Sequence, residues 1–263
     1  AIGATFVKRE YERISREGVQ SVVITSCCPT VNTLIEKYYP EITECLAPVM
    51  TPMQAHCMDI KRRHSDAKTV FIGPCLSKKD EAARVGVDAA LTFEEIAAMI
   101  EKKGIVLESM RDHDEKSRAR LFPTSGGVLN TMTYKNPLYD YYTIDGLDNV
   151  IPALEDIRHG GIEHCFIEMS ACAGSCVRGP IMRRKHPSSV RDYQAVSSYA
   201  GKEDFNVEQP EVSQLVNEYR PAFLHKVKPS HTELMEILRK MGKVSPADEL
   251  NCGTCGYNTC RDK

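Results

Sequence analysis

The stretch from His164 to Pro180, HCFIEMSACAGSCVRGP, constrains this chain more than any other, because it sets two cysteines close together among small residues. Cys172 and Cys176 have three residues between them, with Ala171, Gly174 and Ser175 alongside. Small side chains let backbone and thiolates approach a bulky inorganic ligand closely. The run Cys165-Phe166-Ile167 just upstream reads as a buried strand. Alone, such a pair reads as two buried structural cysteines.

Two further stretches change that reading. Thr25-Ser26-Cys27-Cys28-Pro29 ends the apolar run Val22-Val23-Ile24, and Gly73-Pro74-Cys75-Leu76-Ser77-Lys78-Lys79-Asp80-Glu81 ends Val70-Phe71-Ile72. Each places cysteine where a strand turns into a helix, which is where open α/β sheets assemble their sites. Cys28, Cys75, Cys172 and Cys176 supply the thiolates an iron-sulfur cubane needs. Zinc accepts the same number, so ligand count leaves both open.

Eleven cysteines, an odd number in a chain of 263 residues, suit metal ligation in a reducing compartment better than a disulfide scaffold. A hydrophobic content of 42% is enough for one sizeable core or two lobes. The net charge of -2 gives no electrostatic case for nucleic acid or an anionic membrane. Lys61-Arg62-Arg63 and Arg183-Arg184-Lys185 read as solvated surface. No apolar run approaches a membrane span, and Ala1-Ile2-Gly3-Ala4 lacks a secretory pattern, so a cytoplasmic protein is expected.

The chain alternates strand and helix patterns. A helix over Phe6 to Arg16, ended by Gly18, precedes a strand over Val19 to Ile24, and Pro29 opens a helix to Tyr38. Cys28 would sit at that helix N-terminus, whose positive end favours thiolate and an anionic cluster. Thr51-Pro52 opens a helix to Arg63. Cys45, Cys57 and Cys165 read as packing residues, as does His56. A strand over Lys68 to Ile72, a helix through Arg84, a strand over Asp88 to Leu91 and a helix capped by Thr92 and Glu95 follow. Ser109 to Arg120 reads as a surface excursion, and Ser125-Gly126-Gly127 starts a helix to Tyr134. Then come a strand over Tyr141 to Ile144, a helix over Asn149 to His159, a strand over His164 to Met169, and a last helix from Thr232 to Met241. This order predicts an α/β fold with parallel sheet flanked by helices.

T-S-C-C-P, then P-C-x-x-K-x-x-E, then E-x-x-A-C-x-x-x-C, in that order, resemble the three motifs of the iron-only (FeFe) hydrogenase catalytic domain. Phe122-Pro123-Thr124-Ser125-Gly126-Gly127-Val128 is similar to another family stretch that lines the cluster. The resemblance implies two lobes of parallel-rich sheet with the metal cluster in the cleft between them. It also implies that Cys28, Cys75, Cys172 and Cys176 ligate a 4Fe-4S cubane, with Cys176 bridging to a diiron unit carrying carbon monoxide, cyanide and a dithiolate amine. Lys78 would donate to a cyanide, Cys27 would relay a proton, Phe122 would pack near the bridging carbonyl, and Ser170 would line the site. Glu81 and Glu168 match acidic motif positions and are read as orienting backbone or Lys78.

The implied substrates are dihydrogen and protons. Implied partners are maturation proteins and a redox partner, either ferredoxin or an adjacent iron-sulfur or signalling domain. At the end of the chain, Cys252, Cys255 and Cys260 in C-G-x-C-G-Y-x-x-C look like the start of a small domain with a second 4Fe-4S cluster. The chain is therefore expected to hold a hydrogenase-like domain over 1–245 and part of a second domain over 246–263, cut at both ends.

Departures from the family pattern point to a slow, hydrogen-sensing member. Gly73 and Ser170 stand where methionines are usual, which changes volume and dielectric beside the diiron unit. Val31 replaces a tryptophan, and Arg178-Gly179-Pro180 replaces a glycine-rich run. Ala47 falls where a proton-path serine is usual and has no hydroxyl, leaving Glu10 or Glu12 as candidate acids. The rival readings are an iron-sulfur scaffold like those of cytosolic cluster assembly, a plain electron-transfer module, and a zinc protein.

Overall fold

The computed structural model describes residues 1–108, 116–183, 189–222, 229–251 and 259–261. They fall into two compact units, Ala1–Phe223 and Leu224–Lys263.

The first unit is α/β. Helices α1 (Ile2–Glu17), α2 (Pro29–Tyr38) and α3 (Pro52–Arg63) interleave with strand β1 (Val22–Ile24). Strand β2 (Val70–Gly73), α4 (Ser77–Val85), β3 (Ala89–Thr92) and α5 (Phe93–Lys102) follow. After the short α6 (Gly127–Thr131) come β4 (Asp140–Asp145), α7 (Leu147–Arg158) and β5 (Cys165–Ser170). Single-turn helices α8 (Pro180–Arg183) and α10 (Val212–Leu215) flank α9 (Ser189–Tyr199). The strands form two parallel sheets, one ordered β1-β5-β4 and one made of β2 and β3.

The central strand β5 is buried along its whole length, as a parallel strand covered on both faces must be. Alternation divides its side chains between two cores. Phe166, with Val23 of β1, joins Phe6, Tyr11 and Ile14 of α1 and Val128 and Leu129 of α6. Cys165, Ile167 and Met169 join Val31 and Ile35 of α2 and Val150, Leu154 and Ile157 of α7. Phe166 stacks on Tyr141 and meets Tyr11 and Tyr139 edge-on. A smaller core of Met53, Ala82 and Val87 lies against Phe71 and Ala90, so α3 and α4 cover one face of the β2–β3 sheet.

Local chemistry sets most boundaries. Gly18 closes α1 in the left-handed conformation, and Thr51 and Thr92 each cap a helix reciprocally with Gln54 and Glu95. α6 stops at Thr131, short of the expected Tyr134. Met132 turns extended, and the backbone N–H of Thr133 donates to the carboxylate of Glu12 in α1 instead of continuing the helix. The polar stretch read as a surface excursion ends inside the protein. Ser117 and Ala119 are buried, and the Arg118 N–H donates to the Glu203 carbonyl at 2.8 Å. Residues 109–115 of that stretch lie outside the described residues.

In the second unit, Ser230 and Glu233 cap α11 (His231–Lys240), and Leu238 is its buried residue. A 3₁₀ turn over Pro246–Asp248 follows. Of the terminal cysteines, Cys252 and Cys255 lie outside the described residues, and the Cys260 N–H donates to Asn251 Oδ1 at 2.7 Å. Among the described residues no helix is long and apolar enough to cross a membrane.

Because Phe166 joins three rings across the β1-β5-β4 sheet, Phe166→Ala lowers stability by about 3–5 kcal/mol. Urea unfolding followed by circular dichroism measures it, with half-exposed Tyr142→Ala as a control that shifts the midpoint far less.

Candidate metal centre

Each cysteine predicted as a ligand follows a strand end. The Thr25 N–H donates to the Ile167 carbonyl at 2.9 Å, extending the β1–β5 ladder one residue and holding the Cys27-Cys28 turn beside the end of β5. Cys28 is the N-cap of α2, and its carbonyl accepts from Asn32 N–H at 3.0 Å. Cys75 follows β2 just before α4. The Thr30 and Ser77 hydroxyls, 2.6 Å apart, tie the starts of α2 and α4 together.

After β5 the chain makes a tight loop in which the Ser175 N–H donates to the Cys172 carbonyl at 2.8 Å. Gly174 has φ +83°, and a side chain there would meet Arg178. Buried Ser175 has φ 60°, a conformation that costs a non-glycine residue roughly 1–3 kcal/mol. Cys176 then opens a 3₁₀ turn, and Val177 N–H donates to the Pro123 carbonyl at 3.0 Å.

Cys176 has solvent-accessible surface, but it faces a concavity of about 440 Å³ that Pro74, Phe93, Pro123 and Met182 also line. Enclosure by protein dominates its electrostatics: burial pushes its thiol up to about 12, followed by the neighbouring Cys28 and Cys75. Lys78 opposes the shift, and Cys172 adds to it. Cys176 therefore stands within electrostatic reach of Cys28, Cys75 and Cys172. A cationic centre bound at Cys176 would oppose that shift. Among the described residues no three His, Cys, Asp or Glu side chains converge as ligands of a single ion must. A cubane takes each thiolate at a separate iron corner, a wider arrangement, and four cysteine thiols are the donor chemistry it needs.

Lys78 is buried, with its ammonium 2.6 Å from Glu81 Oε2, and Glu81 Oε1 accepts from the Thr51 hydroxyl at 2.5 Å. Glu81 thus holds Lys78, while the lysine charge acts on both Cys27 and Cys176. Half-buried Cys27 has its sulfur 3.2 Å from the Tyr11 hydroxyl. Burial pushes its thiol up to about 12 against the opposing Tyr11 hydrogen bond and Lys78 charge, so it is protonated at neutral pH.

Buried Glu168 accepts the Leu129 N–H at 3.0 Å, with the backbone N–H groups of Val128 and Gly126 also acting on its charge. It clamps the start of α6, and burial outweighs these donors and pushes its carboxyl up to about 7. Ser170 ends β5 buried, its carbonyl accepting from Gly146 N–H at 2.9 Å. Partly buried Phe122 packs against the α1 core and lines a different cavity from Cys176, one shared with Ala4, Arg120 and Tyr199.

The positions that depart from the family pattern have their own surroundings. A Cβ on Gly73 would stand 2.8 Å from the ring of Phe71, two residues earlier on the same face of β2. An aromatic ring therefore fills the space read as vacated. Val31 and Ala47 are fully buried in the two cores. Glu10 is engaged with Arg13 at 2.8 Å, and Glu12 with Lys8 at 3.2 Å and Thr133. Sequence reasoning missed Tyr11 beside Cys27, because an aromatic on the apolar stripe of a helix signals core packing.

Residues 3–180 match the family model for the C-terminal domain of the iron-only hydrogenase large subunit. The periplasmic Fe hydrogenase large subunit of Nitratidesulfovibrio vulgaris is 29% identical over 238 residues, 68% of this chain and 56% of that protein. The cytosolic Fe-S cluster assembly factor NAR1 of Encephalitozoon cuniculi is 26% identical over 215 residues, 70% of this chain and 59% of that protein. The chain thus spans little more than half of each of these relatives. A solved structure of a variant of FeFe-hydrogenase HydA1 from Chlamydomonas reinhardtii superposes with a TM-score of 0.61 at 17% identity, covering 85% of this chain and 83% of that one, a likeness of fold.

Gly73→Met alone overpacks the β2 face and costs about 1–3 kcal/mol, whereas in a Phe71→Ala background it costs much less. A double-mutant cycle by urea unfolding reads this coupling. Glu168 contributes stability that is full below its unfolded value near 4.5 and lost as pH rises through about 7. The loss approaches roughly 1.4 kcal/mol per unit of separation. Unfolding midpoints of the metal-free protein between pH 4.5 and 8 should accordingly fall less in Glu168→Gln than in the parent.

Proposed function

Over residues 3–180 the chain belongs to the family of C-terminal domains of iron-only hydrogenase large subunits, and from that premise we propose that it is an iron-sulfur oxidoreductase that interconverts dihydrogen with two protons and two electrons. Cys28, Cys75, Cys172 and Cys176 hold the 4Fe-4S cubane, with Cys176 also carrying the diiron unit. The observation that carries this reading is Cys176, which stands within electrostatic reach of Cys28, Cys75, Cys172 and Lys78. When bound, the cluster supplies a redox couple and an open iron beside a basic amine, where dihydrogen is cleaved or formed.

The chain's own residues position and protect that chemistry. Lys78, fixed by Glu81, has further N–H donors to offer a cyanide in a charge-assisted bond. Cys27, a neutral thiol at working pH, accepts and donates the proton. Glu168 holds the start of α6, and the resemblance assigns Phe122 and Ser170 to the surroundings of the diiron unit. Gly73 and Ser170 in place of methionines favour slow turnover and a hydrogen-sensing role.

Electrons pass to a ferredoxin or to an adjacent iron-sulfur or signalling domain. Cys252, Cys255 and Cys260 contribute to a second 4Fe-4S cluster in a separate domain from residue 246 onward, and residues 1–245 make the hydrogenase-like one. Maturation proteins deliver the diiron unit, and the cysteine content favours a cytoplasmic setting. The likeness to NAR1 supports a second reading, a scaffold that holds cubanes without the diiron unit. The buried Lys78–Glu81 pair weighs against it, since a cubane alone needs no such cation.

An infrared spectrum of the full-length protein, reconstituted anaerobically with iron and sulfide and loaded with the diiron cofactor, tests the proposal. The expected result is carbonyl and cyanide bands that shift under hydrogen. A confirmed cubane without such bands overturns it in favour of the scaffold. Turnover as high as that of fast hydrogenases would remove the sensing role alone.

A further inference from the structure

Cys27 sits half-buried at the end of β1, so protons exchanged there have to cross protein. Glu10 and Glu12 are held in ion pairs, and Ala47 offers no hydroxyl. A different set of polar atoms leads away from the Cys27 sulfur. It meets the Tyr11 hydroxyl at 3.2 Å, and that hydroxyl meets Ser26 Oγ at 3.2 Å while accepting the Ser26 N–H at 2.9 Å. Ser26 Oγ donates to the Val49 carbonyl at 2.8 Å, and the Tyr219 hydroxyl donates to the same carbonyl at 3.1 Å. The Ser26 and Tyr219 hydroxyls thus meet at one backbone oxygen.

Tyr219 opens onto a polar cavity of about 210 Å³ lined also by Asn32, Glu36, Thr51 and Glu81. Asn32 is 5% exposed, and its Oδ1 has no hydrogen-bond partner in the protein. A buried acceptor of this kind calls for a donor from solvent, and the cavity has room for several waters.

We propose that protons move between this cavity and Cys27 along the hydroxyls of Tyr219, Ser26 and Tyr11. The inference rests on the hydrogenase reading, which requires protons at Cys27. Each hydroxyl accepts one proton and releases another, so the hydroxyls are left unchanged, one proton moves with its charge, and no oxidant or reductant is needed. A proton entering from cavity water at Tyr219 displaces one onward to Ser26, then Tyr11, then Cys27, whose own thiol proton leaves toward the reacting site, and the reverse order returns a proton to the cavity water. Burial makes both phenols weaker acids and keeps them neutral, as a concerted handover requires.

The test uses the full-length, loaded protein with Tyr11→Phe and Tyr219→Phe, each of which deletes one hydroxyl and keeps the ring that packs. Turnover should fall at least about tenfold in each, with a larger solvent deuterium isotope effect and unmoved carbonyl and cyanide bands. A readout independent of turnover is the S–H stretching band of Cys27 in the protein before loading, assigned by its loss in Cys27→Ala. It should shift in Tyr11→Phe. Wild-type turnover and isotope effect in both variants, with the infrared bands of a loaded cluster present, overturn the relay and leave the hydrogenase reading standing. An unmoved S–H band overturns the Tyr11 link, and a wild-type spectrum without carbonyl or cyanide bands removes both readings.

Discussion

Parallel pairing of β1 with β5 is the constraint on which the rest depends. In a parallel ladder both strands finish at the same edge, so the register Ile24↔Ile167 delivers two cysteine loops from distant parts of the sequence to one place. Burial of β5 on both faces fixes that register, because a slip of one residue would exchange the residues of the two cores. The hydroxyl contact between Thr30 and Ser77 then brings the loop of the second sheet to the first.

Bringing thiols together in this way has an electrostatic cost that the protein leaves for a cofactor to offset. Burial and mutual proximity keep Cys176 protonated, and Lys78 supplies only a partial counter-charge because Glu81 neutralises it in turn. Cluster binding is therefore coupled to proton release and to consolidation of the loops. The left-handed backbone at Ser175, immediately before Cys176, belongs to the same economy, since strained residues persist where surrounding structure holds them.

Much of this was legible in the sequence because it is local. Strand runs, the capping pairs Thr51–Gln54 and Thr92–Glu95, Gly18 and the cysteine motifs are written within a few residues of one another. What was not legible depends on residues far apart in sequence. The early end of α6 comes from Glu12, more than a hundred residues upstream. The meeting of Tyr11 with Cys27 requires α1 to lie across β1, and the arrival of Tyr219 at Val49 requires the chain after α9 to return past β1. Even two residues away the sequence is silent: a glycine at 73 signals missing volume, and only the rotamer of Phe71 decides that its ring fills it.

The carbonyl of Val49 carries a consequence of its own. At rest the hydroxyl hydrogens of Ser26 and Tyr219 both point at that one backbone oxygen, and neither points at the other. Each hydroxyl must swing off the carbonyl before it can pass anything on, giving up a bond worth about 1 kcal/mol net. On the proposed relay that oxygen is a latch, which both hydroxyls leave whichever way the proton runs.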